Sequence, residues 1–178
     1  VDNGFPQLLE ILFDAGHTPP LIPVFINCAA PPRPPMARVL ALGQAIGRFA
    51  AASGQRVLLL ASGGLSHDPP VPLLEGAPPA VRREGQLFAD GSSRRTPLNP
   101  DWDEAFLDAL QAGDLDRLAR LRDADITRDG GAGGHEVRPL LAAAAALAAA
   151  GPYRAQRRYY RPIVPWIAGF GVVTAQPA

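Results

Sequence analysis

The stretch Ser62-Gly63-Gly64-Leu65-Ser66-His67-Asp68-Pro69-Pro70 places an imidazole in a loop of small residues. A His can take up or release a proton near neutral pH, and glycines let a ligand approach the backbone closely. Pro69 and Pro70 stiffen the exit. A second loop, Asp129-Gly130-Gly131-Ala132-Gly133-Gly134-His135-Glu136, sets another His beside a carboxylate where an Ala-rich run begins. There Glu136 either complements a helix dipole or offers an oxygen ligand to a metal. A single His in such a loop is as readily structural as functional. Two of them, one abutting a carboxylate, weigh toward function. His17 follows Gly16 in a helix-end turn and reads as a surface residue.

Other chemistries are excluded by what is missing. One Cys and no Cys or His pair at ligand spacing leave no zinc site. The Ser62–Ser66 segment lacks the Lys of a phosphate-binding loop, and the chain contains no Lys at all. Neither Ser62 nor Ser66 has the Gly-x-Ser-x-Gly setting of a hydrolase nucleophile. Seventeen basic and seventeen acidic side chains cancel, so there is no electrostatic footprint for nucleic acid. The Ala-rich run from Leu140 to Ala150 is well short of the roughly 20 residues that cross a bilayer, so no membrane partner is expected. Cys28 has no partner for an internal disulfide, which fits a reducing cytoplasm.

The elements that must position these loops follow from periodicity. Phe5 to Phe13 and Met36 to Ala52 carry helical stripes. Leu21 to Asn27 and Val57 to Ala61 read as strands flanking the second helix, a βαβ unit with a parallel pair. A short helix near Val81 to Phe88 precedes an exposed loop. Asn99 is suited to cap a helix that starts at Pro100, with Asp101, Asp103 and Glu104 complementing its dipole. Asp114 caps the next, through Leu121, in a helical hairpin rather than a DNA-binding pair. Val137 to Ala150 is a helix, and Tyr153 to Tyr160 and Phe170 to Ala175 are two last strands. With 47% apolar residues in 178, one domain over residues 1–178 is expected. Its class is α/β, a central, mostly parallel or mixed sheet with helices on both faces.

The order of motifs is itself informative. Val1-Asp2-Asn3-Gly4-Phe5, Pro23-Val24-Phe25-Ile26-Asn27, Leu42 to Phe49, Ser62 to His67 and Pro97-Leu98-Asn99-Pro100 come in sequence. They are followed by His135-Glu136-Val137, Tyr159-Tyr160-Arg161-Pro162 and Trp166 to Gly171. In this order the chain resembles the C-terminal part of a class III extradiol ring-cleavage dioxygenase, over nearly its whole length except Glu75 to Thr96. The resemblance implies a non-haem Fe(II) enzyme of aromatic-compound catabolism that uses O2 to open a catechol beside its two hydroxyls. It implies that His67 is an acid–base catalyst and that Glu136 is the carboxylate of a two-His-one-carboxylate iron site. Asn3 stands where the family has a second acid–base His. Asn can hydrogen-bond substrate but cannot donate a proton near neutral pH. The family's two iron-binding histidines lie upstream of Val1, which implies a sheet and a metal site incomplete at the N-terminus. Homo-oligomers are the family's habit. The alternative is a non-catalytic binding or scaffold protein on the same fold.

Overall fold

Asn99 and Pro100 start a helix as their types require. The Asn99 side chain accepts a hydrogen bond from the Trp102 backbone N–H at 3.2 Å, and the helix runs Pro100–Ala112. It ends at Gly113, whose φ of 73° is the left-handed conformation favoured by glycine. The computed structural model describes residues 5–13, 17–29, 31–68 and 98–178. Asn3 and the expected helix near Val81 to Phe88 lie outside the described residues.

Among those described, the helices are α1 (Pro6–Leu12), α2 (Met36–Ala52), α3 (Pro100–Ala112), α4 (Leu115–Ala119), α5 (Asp123–Gly130) and α6 (Val137–Ala148). A 3-10 turn, Gly133–Glu136, leads into α6. Two strands follow, β1 (Tyr153–Ile163) and β2 (Ala168–Pro177), joined by the turn Val164–Trp166. They pair antiparallel from Tyr153↔Pro177 to Ile163↔Ala168, with an irregularity between Arg157 and Tyr159. The protein therefore mixes helix and strand, and no described helix is long and apolar enough to cross a membrane.

The core lies where α2, α3, α5 and α6 bury Met36, Val39, Phe106, Ile126, Val137 and Leu141. α2 and α6 pack backbone to backbone. A Cβ on Gly43 would fall 2.3 Å from the Ala142 carbonyl oxygen, and one on Gly47 would fall 2.0 Å from that of Ala146. The Ala-rich sequence of α6 is thus the other half of a close helix contact that Gly43 and Gly47 permit. The hairpin is fastened to α3 by polar bonds: the Tyr153 hydroxyl donates to the Leu110 carbonyl, and Arg157 reaches Asp108 and Gln111.

The expected parallel pair is not formed. Among the described residues the sheet consists of β1 and β2 alone, and Leu21–Asn27 and Val57–Ala61 belong to no ladder. Ile26 packs against the core, but most of their large side chains are uncovered, with Ile22 79%, Phe25 67% and Leu58 65% exposed, as is Phe49 on the outer side of α2. An apolar run states that a segment needs cover; it does not state which segment supplies the hydrogen-bonding partner. The hairpin, by contrast, carries its partner a few residues away.

Substituting Gly43→Ala or Gly47→Ala should cost about 1–3 kcal/mol of unfolding free energy, because the added methyl meets backbone rather than a side chain able to turn away. Denaturant unfolding of each variant beside Ala41→Gly, an exposed α2 position where only about 1 kcal/mol is expected, gives the comparison.

Candidate functional site

His67 is held by its own backbone before its ring does anything. Its N–H donates to the Gly130 carbonyl at 3.0 Å, and its carbonyl accepts from the Gly133 N–H at 2.9 Å. On the other side the residue forms a bridge with Ala168, and the Ser66 carbonyl accepts from the Gly169 N–H at 3.0 Å. The loop is thus sewn between the second Gly-rich loop and the start of β2. Asp68 adds a bond, its carboxylate accepting from the Ala132 N–H at 3.0 Å.

The ring orientation follows from one further contact. Nδ1 of His67 lies 2.8 Å from the Leu65 carbonyl oxygen. A carbonyl can only accept, so Nδ1 carries a proton, and the tautomer this selects for the neutral ring has its lone pair on Nε2. Nε2 points toward Glu136, 3.8 Å from Oε1, with the His67 side chain 15% and the Glu136 side chain 47% exposed. The two residues are 69 positions apart in the chain and meet in one place. Two glycines make the room. A Cβ on Gly64 would come within 2.3 Å of His67 Cε1 and 2.9 Å of Glu136 Oε2, and one on Gly133 within 2.2 Å of His67 Nε2. Chemically, this pairs an imidazole, the side chain suited to proton transfer, with a partly exposed carboxylate of the type that holds a cation.

Glu136 is positioned by the 3-10 turn Gly133–Glu136 and by a buried cluster beneath it. His135 is fully buried, and Arg138 NH1 donates to its Nδ1 at 2.7 Å, leaving Nε2–H to donate to Thr127 Oγ1 at 2.8 Å. Arg138, also fully buried, reaches the Pro34 carbonyl at 3.0 Å and Asp123 at 2.6 Å. Burial, reinforced by the charges of Arg33 and Arg138, pushes the His135 pKa down to about 4. His135 is therefore neutral at physiological pH and anchors the turn. The two loop histidines, which together weighed toward function, thus differ: His67 faces Glu136, whereas His135 is turned inward. His17 is exposed, as its place in a turn implied.

Sequence reasoning missed Asp103. It was expected to face the helix dipole, yet it is fully buried and takes hydrogen bonds from the Ser66 N–H, the Ser66 hydroxyl and the Tyr160 hydroxyl. The signal was present: positions 103, 106, 107 and 110 share a helical face, and the other three are apolar.

Residues 1–171 match the family described as the catalytic LigB subunit of aromatic ring-opening dioxygenase. The chain belongs to this family of aromatic ring-opening dioxygenases. It is 44% identical, over 99% of its length, to a protein of Photorhabdus laumondii named 2,3-dihydroxyphenylpropionate/2,3-dihydroxicinnamic acid 1,2-dioxygenase. Proteins of the same name from Cupriavidus necator and Paraburkholderia xenovorans are 44% and 47% identical over 100% and 99% of the chain. The chain spans 63–64% of the length of these three relatives. The alignments run over 199 positions, more than the chain's 178 residues, so the relatives carry additional residues inside the matched span.

The depressed His135 pKa has a consequence for stability. The unfolded chain takes up a proton near the usual 6.5, whereas the folded one resists until about 4. The stabilisation is therefore complete above pH 6.5 and is lost as pH falls toward 4, with an upper limit of roughly 3 kcal/mol. Urea unfolding of the metal-free protein at intervals between pH 7.5 and 4 should show this decline, with the His135 ring resonances still those of the neutral form at pH 5.5.

Proposed function

We propose that this chain is the C-terminal part of a cytoplasmic extradiol dioxygenase domain that opens a catechol, of the 2,3-dihydroxyphenylpropionate type, with non-haem Fe(II) and O2. The observation that carries the reading is the meeting of His67 and Glu136 across two glycines that leave the space between them clear. Family membership supplies the reaction class, and the names of the relatives point to the substrate.

The described residues do not by themselves fit iron. No group of three or more His, Cys, Asp or Glu side chains able to hold a metal occurs among them. Glu136 is one oxygen donor of the right type, and in this reading two further ligands come from the greater length that the relatives possess. Iron in such a site would supply open coordination positions for catecholate and O2 side by side.

The contribution of the chain's own residues is proton handling and orientation. His67 Nε2 accepts a catechol hydroxyl proton, and Nδ1–H, held on the Leu65 carbonyl, keeps the ring from presenting the wrong nitrogen. In this reading Asn3 hydrogen-bonds the substrate and orients it. The uncovered runs Leu21–Asn27 and Val57–Ala61 become strands of a central, mostly parallel or mixed sheet in a single domain. They gain partners from the greater length that the relatives possess. A homo-oligomer completes the assembly.

The test uses the protein expressed with the coding sequence that adjoins Val1. Loaded anaerobically with Fe(II), given 2,3-dihydroxyphenylpropionate and then oxygen, it should form the yellow ring-opened product. His67→Gln should lower kcat about 10²–10⁴-fold with iron content unchanged, the range for loss of a general base. Glu136→Gln should lose the iron itself, read by metal analysis. Absence of colour, together with absence of iron from an intact fold, would give the site to a non-catalytic binding or scaffold role.

A further inference from the structure

The carbonyl that holds His67 Nδ1–H and the N–H that donates to Asp103 belong to one peptide unit, that between Leu65 and Ser66. Asp103 Oδ1 accepts from the Ser66 N–H at 2.6 Å, and the Leu65 oxygen lies 2.8 Å from Nδ1. We propose that Asp103 is a positioning residue that acts on His67 through this peptide, as a carboxylate–imidazole pair with one amide inserted between its members. The inference rests on the acid–base role given to His67 above and adds to it the group that fixes the working nitrogen.

The surroundings of Asp103 make it a charge held for this purpose. Its side chain is fully buried, and three donors converge on it: the Ser66 N–H, the Ser66 hydroxyl at 2.9 Å and the Tyr160 hydroxyl at 2.8 Å. The Ser66 hydroxyl in turn accepts from the Asn99 N–H at 2.9 Å, so its one proton goes to Asp103. The amide N–H can only donate, and with both hydroxyls turned to donate as well the three contacts favour the charged form of the carboxylate. Burial, the larger effect, raises its pKa above the usual carboxylate value, and these hydrogen bonds reduce that rise. β2 passes so close that a Cβ on Gly169 would fall 2.0 Å from Asp103 Oδ2.

The physical effect is polarisation. A negative acceptor on an amide N–H draws that proton outward and leaves more electron density on the carbonyl at the other end of the same unit. The Leu65 oxygen becomes a stronger acceptor, the Nδ1–H tautomer is favoured, and the lone pair stays on Nε2, facing Glu136. A direct carboxylate–imidazole contact would achieve the same polarity but would bring a second negative charge against the site. Inserting a peptide keeps that charge buried behind it.

Proton and nitrogen resonances of the imidazoles test this on the resting chain, without iron or substrate, and only three histidines need assignment. In the unmodified protein His67 should show a downfield Nδ1–H and the nitrogen pattern of that tautomer. Asp103→Asn keeps the shape and removes the charge: the Nδ1–H should move upfield and exchange roughly tenfold faster, as one charge-assisted hydrogen bond weakens. Ser66→Ala leaves the Ser66 N–H in place but takes a donor off Asp103 Oδ2, so it should move Nδ1–H downfield, opposite to Asp103→Asn. If Asp103→Asn does not fold, Tyr160→Phe carries the test. It removes a donor from Oδ2, concentrates charge on Oδ1 and should move Nδ1–H further downfield. A His67 signal unmoved by whichever of these two variants folds overturns the proposal. Because the readout needs no turnover, that failure is distinct from an absence of ring-opening activity.

Discussion

The placement of one backbone residue, His67, organises the described site. Its N–H, its carbonyl and one ring nitrogen are all committed, to Gly130, Gly133 and Leu65 respectively. A side chain on a loop ordinarily keeps its rotamers and its tautomer in play. Here the main chain is fixed on both sides and the ring has one hydrogen bond available to its inner nitrogen. The outer nitrogen is left for chemistry.

Two buried charges underlie this arrangement, one beneath each reactive residue. Asp103 lies under the His67 loop, and Arg138 lies under the turn that presents Glu136. Taking a charge out of water is costly, and both residues offset the cost by filling their hydrogen-bonding capacity. Arg138 divides its donors among His135, the Pro34 carbonyl and Asp123. Such networks are poor sources of net stability and good sources of specificity, since a shifted loop would strand a charge in an apolar interior. That fits a site whose two members come from distant parts of the chain and must meet within a few ångströms.

Much of this was legible in the residues. Asn99-Pro100 marked the start of α3, the helical stripe from Met36 to Ala52 marked α2, and the last two apolar runs marked the strands β1 and β2. The pairing of His67 with Glu136 came from the order of motifs, since no local pattern states that two loops so far apart converge. α5 was hidden because Asp123–Gly130 is short and polar, with Ile126 its one large apolar residue. The burial of Arg138 was hidden because its partners, at positions 34, 123 and 135, are gathered only by the fold. The expected parallel sheet is absent among the described residues for the complementary reason. Leu21–Asn27 and Val57–Ala61 have the composition of buried strands, but pairing is a property of neighbours, and the described neighbours do not provide it.

The uncovered run Val57–Ala61 leads straight into the site loop, which raises the question of how that loop keeps its shape. Its contacts answer it. Among the described residues, the hydrogen bonds that fix Ser66 and His67 from outside their own loop come from residues 99–169: Asn99, Asp103, Gly130, Gly133 and Gly169. From the N-terminal side, the tie to the turn that presents Glu136 is of another kind, the Pro34 carbonyl bound to Arg138 beneath it. The imidazole is thus organised by elements downstream of it, and the apolar runs upstream can await cover without disturbing it. A division of labour follows within the fold. The segment from α3 to β2 fixes His67, and the uncovered upstream runs take no part in fixing it.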